Sequence, residues 1–326
     1  MSMNRLAEKQ SVNWLRLVVA LLALPLQVWA WDPPAHMLNG SITYQILRRE
    51  SAHTIETVKS TLEKHPWYEA HWKPQLEKLP SIDRDEMLFM LAPRWADEVR
   101  TTDRAQYHRA PWHYINFPFK PDGQPESVRT QPPAAVNILT ALAENETTAK
   151  TDRNTEKRAV ALTWLFHLVG DIHQPLHTVQ IFTTDYPNGD RGGNEVCVRP
   201  SPNAKPMDLH QFWDDVITAS SNTTRLRNEA TALRNRPEFS KNQLAELALT
   251  DFESWAKESA EIATKFAYEN GAFVGTPKGN RQTCAEVANA VVVPNGYAKL
   301  AGRIGDRRIT LAGYRLASVL ERISGN

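Results

Sequence analysis

The run Trp164-Leu165-Phe166-His167-Leu168-Val169-Gly170-Asp171-Ile172-His173-Gln174-Pro175-Leu176-His177 sets the reading of the whole chain. Up to Asp171 it is apolar except for two side chains, His167 and Asp171, which stand four apart. On an α-helix positions i and i+4 share a face, so this pair can grip one ion. Taken alone, the pair is better explained as a buried His–Asp hydrogen bond. Pro175 ends the helix near His173 and redirects the chain. His177 then approaches the same place from another direction. His173 leaves the helix on a different side from Asp171 and reads as structural.

The same logic recurs elsewhere. Leu209-His210-Gln211-Phe212-Trp213-Asp214 repeats the i, i+4 pair among aromatic residues, with Asp215 as a competing ligand at poorer spacing. Asp97 sits in Trp95-Ala96-Asp97-Glu98-Val99-Arg100, His113 in Trp112-His113-Tyr114-Ile115-Asn116-Phe117, and His36 lies further upstream. Five histidines and three aspartates exceed what one tetrahedral zinc requires, and a multinuclear site accounts for the surplus. Nitrogen and oxygen ligands without sulfur suit zinc, while manganese and iron also fit the ligand type. The two cysteines, Cys197 and Cys284, form no Cys-x-x-Cys pair, so a thiolate site is not expected.

Helical periodicity dominates the chain, over 81–103, 133–145, 156–173, 207–219, 240–269 and 297–323. Pro- and Gly-rich stretches at 118–133, 186–206 and 274–280 read as loops. No period-two alternation is long enough to argue for a sheet. The expected architecture is all-α, one helical catalytic domain over 31–326. The 186–206 loop is long enough to expect a functional role.

Residues 1–30 read as a signal peptide. Arg5, Lys9 and Arg16 precede the apolar run Leu17–Leu26, and Val28-Trp29-Ala30 is a small-x-small cleavage site. The run is short for a membrane span. Export to a periplasm or the outside follows, with a mature chain starting at Trp31 and no stable membrane association. Of 38 basic and 37 acidic residues, only three basic and one acidic fall in the first thirty, so the remainder is near neutral. No basic field exists to hold long nucleic acid nonspecifically. Export permits, without requiring, a Cys197–Cys284 disulfide. Asn39, Asn145 and Asn222 lie in N-x-[ST] sequons, which matter only in a eukaryotic host.

These segments, in this order, resemble the zinc-dependent single-strand nucleases typified by the fungal nucleases P-one and S-one, relatives of the bacterial zinc phospholipases C. His-x-x-x-Asp-x-His-x-Pro-Leu-His is the most specific of the shared patterns. Trp31 through His36, Gly189-Asp190-Arg191-Gly192-Gly193-Asn194 and the closing Leu311-Ala312-Gly313-Tyr314-Arg315-Leu316-Ala317 also match. The resemblance implies a helical fold around a trinuclear zinc cleft. Asp97, His113, His167 and Asp171 would hold one ion, and His177, His210 and Asp214 the second of a close pair. Asp171, His36 and the α-amino nitrogen and carbonyl oxygen of Trp31 would hold the third. Cleavage after Ala30 would therefore create a ligand.

The resemblance further implies zinc-assisted hydrolysis at phosphorus, with Arg100 gripping the phosphate. Tyr114 would stack a base, which explains a single-strand preference. Asn116 would contact the base where the fungal enzymes carry Asp, and an amide both donates and accepts. Asp32 stands where the family usually has Gly. The Asp190–Asn194 loop, with Asn194 toward substrate, either shapes the cleft edge or is a plain Gly-rich turn. The expected protein is a monomeric endonuclease acting on single-stranded RNA and DNA to give 5′-nucleotides, with 3′-nucleotidase activity alongside. A phospholipase C on the same scaffold and a non-catalytic zinc-binding protein are the alternatives.

Overall fold

The computed structural model describes residues 31–101, 105–217, 220–281 and 283–325. The expected signal peptide, 1–30, lies outside the described residues, as do 102–103 and 218–219 at the ends of two expected helices.

The fold is helical, as the periodicity predicts. Its helices are α1 (Pro33–Glu50), α2 (Ala52–Leu62), α3 (Lys73–Leu76), α4 (Ser81–Leu91) and α5 (Trp95–Glu98). Then come α6 (Ile138–Thr151), α7 (Thr155–Asp171), α8 (Leu209–Asp214), α9 (Thr223–Arg234), α10 (Phe252–Ile262) and α11 (Tyr297–Ser324). Helix α1 is central. Asp32 caps it by accepting from Ala35 N, with Pro33 and Pro34 in the first turn and Arg48 and Arg49 in the last. It packs against α4, α9 and α11. A Cβ on Gly40 would lie 2.0 Å from Phe89 O, so only glycine allows α4 to come this close. Ser41 Oγ donates to Glu86 Oε1 at 2.6 Å across the same contact.

Helices α6 and α7 form a hairpin over the other side of this core, where Trp95, Trp164 and Phe166 are buried. Helix α7 starts under Asn154, whose side chain accepts from Lys157 N, and ends at Asp171, slightly before the expected 173. Pro175 then opens a 3-10 turn, Pro175–His177.

Four expectations are corrected. The 133–145 helix begins later, at Ile138, because Asn137 and Thr140 form a reciprocal cap. The 207–219 segment is helical only to Asp214, and the 240–269 helix starts only at Phe252, under the Asp251 cap. Two small sheets exist where none was expected. Strand β1 (Phe117–Phe119) pairs in parallel with β2 (Val179–Ile181), matching Phe117 with Val179. Strand β3 (Val196–Arg199) pairs with β4 (Met207–Asp208), β5 (Thr276–Pro277) and β6 (Val291–Val292). Strands of two to four residues are too short to display an alternation. Helices α1, α2, α3 and α9 were not among the expected segments, and the 81–103 segment is divided into α4 and α5 by the 3-10 turn Ala92–Arg94.

Cys197 on β3 is bonded to Cys284, and the pair is buried with Val287 and Ala290. No helix among the described residues is long and apolar enough to cross a membrane. Two of the sequons are sealed: Asn39 and Asn145 are buried, whereas Asn222 is exposed and caps α9.

Candidate metal centre

The histidines and aspartates singled out in the sequence converge from six elements. His36 comes from α1, Asp97 from α5, His113 from the 3-10 turn Ala110–His113, His167 and Asp171 from α7, His177 from the turn after Pro175, and His210 and Asp214 from α8. All are buried. Their side chains form three groups able to hold an ion: His36, Asp97 and His167; His113, His167 and Asp171; His177, His210 and Asp214. Asp215 is exposed, whereas Asp214 is buried and is the neighbour that groups with His177 and His210.

Hydrogen bonding shows what these groups lack. His167 Nδ1 donates to Pro93 O at 2.7 Å, His177 Nδ1 to His113 O at 2.6 Å and His210 Nδ1 to Gly192 O at 2.6 Å. Each bond puts the ring proton on Nδ1 and leaves Nε2 with a bare lone pair. Those lone pairs meet other acceptors. His210 Nε2 faces His177 Nε2 at 3.1 Å, and His167 Nε2 lies 3.0 Å from Asp171 Oδ2. His36 Nε2 stands 3.2 Å from Asp171 Oδ1, yet neither ring nitrogen of His36 nor that Asp171 oxygen has a hydrogen-bond partner. Buried acceptors turned on one another are costly unless cations lie between them. The donor set therefore fits metal ions, and its nitrogen and oxygen chemistry fits zinc.

The electrostatics agree at His113, His177 and His36, whereas at His167 burial is outweighed by the Asp171 and Asp97 carboxylates, which raise its imidazole. Burial holds the imidazoles of His113 and His177 neutral, at about 4 and about 3, and that of His36 also falls. Neutral imidazole is the ligating form. Burial works against a charged Asp171, but His167, His113 and His36 around it hold its carboxyl well below the usual range. Asp97 is lowered likewise, with burial outweighed by His167 and Arg100. Asp214 behaves oppositely: burial pushes it well up, with Asp215, Asp32 and Asp171 adding repulsion and Gln174 opposing. A buried carboxylate repelled by three others calls for positive charge.

Around the groups stand the other expected residues. Trp31 is fully buried, and its indole donates to Gly170 O at 2.8 Å, one residue from Asp171. Burial raises Asp32, the departure from the family pattern, to about 7, with Asp215 and Glu229 adding to it against the Ala35 amide. Arg100 Nη2 meets Asp97 Oδ1 at 2.6 Å and lies 3.3 Å from the His113 ring nitrogens. It is mostly buried at the edge of the cluster, so it is no surface ion pair. His173 is structural: its Nδ1 donates to Val169 O and its Nε2 meets Arg315 Nη1 at 2.8 Å on α11.

A cleft opens beside the ions' expected seats, lined by Tyr114, Asn116, Leu176, His177, Arg191, Asn194 and His210. Ile115 N bonds His177 O and Phe117 N bonds Thr178 O, so residues 114–117 run extended. Alternation then puts Tyr114 and Asn116 on one face. The opposite wall is the Asp190–Asn194 loop, which does more than turn the chain. Gly192 O fixes the His210 tautomer. A Cβ on Gly192, at φ +63°, would also lie 2.2 Å from Leu176 O.

Two residues were missed. Gln174, inside the opening run, donates through Nε2 to Asp214 Oδ1 at 2.7 Å, and its Oε1 accepts from Leu176 N. Its place between two ligand candidates was a usable signal. Asp190 is buried under the loop, accepting from Ile181 N, Gly192 N, Gly193 N and Tyr268 OH. An Asp ahead of Gly-Gly gave only a faint hint of that.

A helical chain gathering buried His and Asp groups beside an aromatic cleft defines a metal-dependent hydrolase class. A family described as S1/P1 Nuclease matches residues 31–325, and the chain belongs to that family. It is 26% identical over 331 residues to Endonuclease 3 of Arabidopsis thaliana, across 95% of this chain and 94% of that protein. It is 24% identical over 270 residues to nuclease P1 of Penicillium citrinum, across 71% and 83%. With nuclease S1 of Aspergillus oryzae it shares 27% over 124 residues, 37% of this chain and 38% of that one. The protein is thus a nuclease, a hydrolase of phosphodiester bonds.

Proposed function

We propose that the protein is an exported endonuclease that loads three zinc ions and cleaves single-stranded RNA and DNA to 5′-nucleotides, with 3′-nucleotidase activity. The observation that carries this is the cluster of mutually facing acceptors, with Arg100 at its edge and the Tyr114–Asn116 cleft beside it. Asp97, His113, His167 and Asp171 would hold one ion, His177, His210 and Asp214 another, and Asp171, His36 and the Trp31 backbone the third. Bound zinc supplies Lewis acidity toward phosphoryl oxygens and a nucleophile at neutral pH.

The chain's own groups do the rest. Arg100 carries positive charge to the cluster edge, where a phosphoryl oxygen would sit. Tyr114 offers a face on which an unpaired base stacks, and a base held in a duplex cannot reach it. Asn116 and Asn194 offer amides to the base edge. Residues 31–326 act as one catalytic domain. All proposed ligands come from one chain, which supports action as a monomer. Removal of residues 1–30 as an export signal would leave Trp31, whose indole bonds Gly170 O, as the first residue.

The cleft lining also bears on the phospholipase alternative. The exposed large apolar residues Ile82, Val136, Leu249 and Val291 do not line it, and its mouth carries amides and a guanidinium. The deciding assay offers the zinc-loaded protein single-stranded RNA and DNA, duplex DNA, a nucleoside 3′-monophosphate and phosphatidylcholine. Single strands and the 3′-nucleotide should be hydrolysed, and the duplex should lag. Cleavage of the lipid alone would overturn the proposal, and no turnover of any would favour a zinc-binding protein.

A further inference from the structure

We infer that Arg191 makes the cleft select guanine as the base of the nucleotide whose 3′ oxygen departs; this rests on the nuclease proposal. Arg191 is the one cationic side chain lining the cleft among the described residues. Its backbone has φ 56°, a left-handed conformation that glycine adopts freely and a long side chain does not. Strain kept at the rim of a ligand cleft points to a use for the side chain there. One nitrogen, Nη1, meets Glu195 Oε1 at 3.2 Å, an exposed rim pair of little strength. The rest of the guanidinium fork can turn to a ligand.

The neighbouring polar groups complete the pattern. Asn194 donates through Nδ2 to Arg191 O at 2.8 Å, so its amide oxygen remains an acceptor. Asn116 stands on the opposite wall beside the stacking face of Tyr114. The cleft thus combines a two-pronged donor with amide acceptors. Guanine is the base that answers both. O6 and N7 are adjacent acceptors for the guanidinium, and N1–H and N2–H donate to amide oxygens. Adenine sets its N6 amine beside N7, and cytosine presents its N4 amine, so each turns a donor toward Arg191. Uracil and thymine offer a single carbonyl there and rank between.

The test measures kcat/KM of the zinc-loaded protein on the dinucleotides GpA, UpA, ApA and CpA, and binding of guanosine and adenosine by calorimetry. GpA should exceed ApA by about tenfold or more, the scale of one bidentate base contact. In Arg191→Ala the GpA to ApA ratio should fall to near one, and Arg191→Lys, which lacks the fork, should recover only part of it. An equal loss on all four dinucleotides would assign Arg191 to a phosphate and overturn the proposal. Equal binding of guanosine and adenosine by the unaltered protein would overturn it too. Guanosine-selective binding without cleavage of any dinucleotide would leave the base selection standing and remove the nuclease proposal instead.

Discussion

His177 and His210 point their Nε2 atoms at one another across 3.1 Å, while each donates its Nδ1 proton to a backbone carbonyl. In their neutral form two rings so fixed turn lone pairs on one another, and a cation between them would bond both. His210→Ala should therefore lose one of the three proposed zinc ions, counted by elemental analysis. Chelation of the unaltered protein should lower its Tm, and zinc should restore it. A His210→Ala chain that keeps its full metal content would remove this assignment.

Asp171 occupies a different position, because its two oxygens face different histidines. Oδ1 faces His36, and Oδ2 faces both His113 and His167. Asp171→Asn should cost two ions where His210→Ala costs one, with activity down by roughly 100-fold or more. Loss of a single ion would show that Asp171 serves one group only.

Gln174 touches no expected ion and holds Asp214 through Nε2. Supporting contacts of this kind are worth about 10- to 100-fold in metal affinity. Gln174→Ala should weaken the binding of one zinc by that order in a competition titration with a chelator. The other two ions should titrate as before. A uniform weakening of all three would point to general loosening of the fold.

Asp190 gives a pH signature. Burial raises its carboxyl to about 6 although Tyr268 OH and three amides donate to it. The folded value lies above the unfolded one, so the stability tied to this group is present at low pH and lost as pH rises through about 6. A shift of roughly two units corresponds to about 3 kcal/mol. Asp190→Asn cannot titrate, so the wild-type advantage over it in unfolding free energy should shrink between about pH 4 and pH 7. A constant gap would contradict the raised value.

Trp31 tests the link between export and assembly. An extra residue ahead of Trp31 removes its α-amino group from the position proposed to bind metal. Zinc content should fall by one ion and nuclease activity with it. Full activity and unchanged metal content would take Trp31 out of the ligand set.

Much of the site was legible because its paired candidate ligands obey helical spacing. His167 with Asp171, and His210 with Asp214, are i, i+4 pairs whose meaning survives any packing. The fold was less legible where tertiary contacts override pattern. Helix α1 is buried nearly all round, with His36, Asn39, Ser41 and Thr43 inside, so it shows no apolar stripe. The sheets escaped because β3 to β6 are pieces of a few residues, one of them fastened by Cys197. Gln174 and Asp190 escaped because a hydrogen bond to a distant partner leaves no periodic trace in the chain.

The Asp190 carboxyl, with its four bonds to Ile181, Gly192, Gly193 and Tyr268, has one more consequence. A Gly-rich loop free to wander would have to be ordered each time a ligand arrived, and that entropy would be subtracted from affinity. Here the ordering is complete once the chain has folded. The side chains of Asn194 and Arg191 therefore hang from a preorganised frame, and a base entering the cleft meets a wall already in shape.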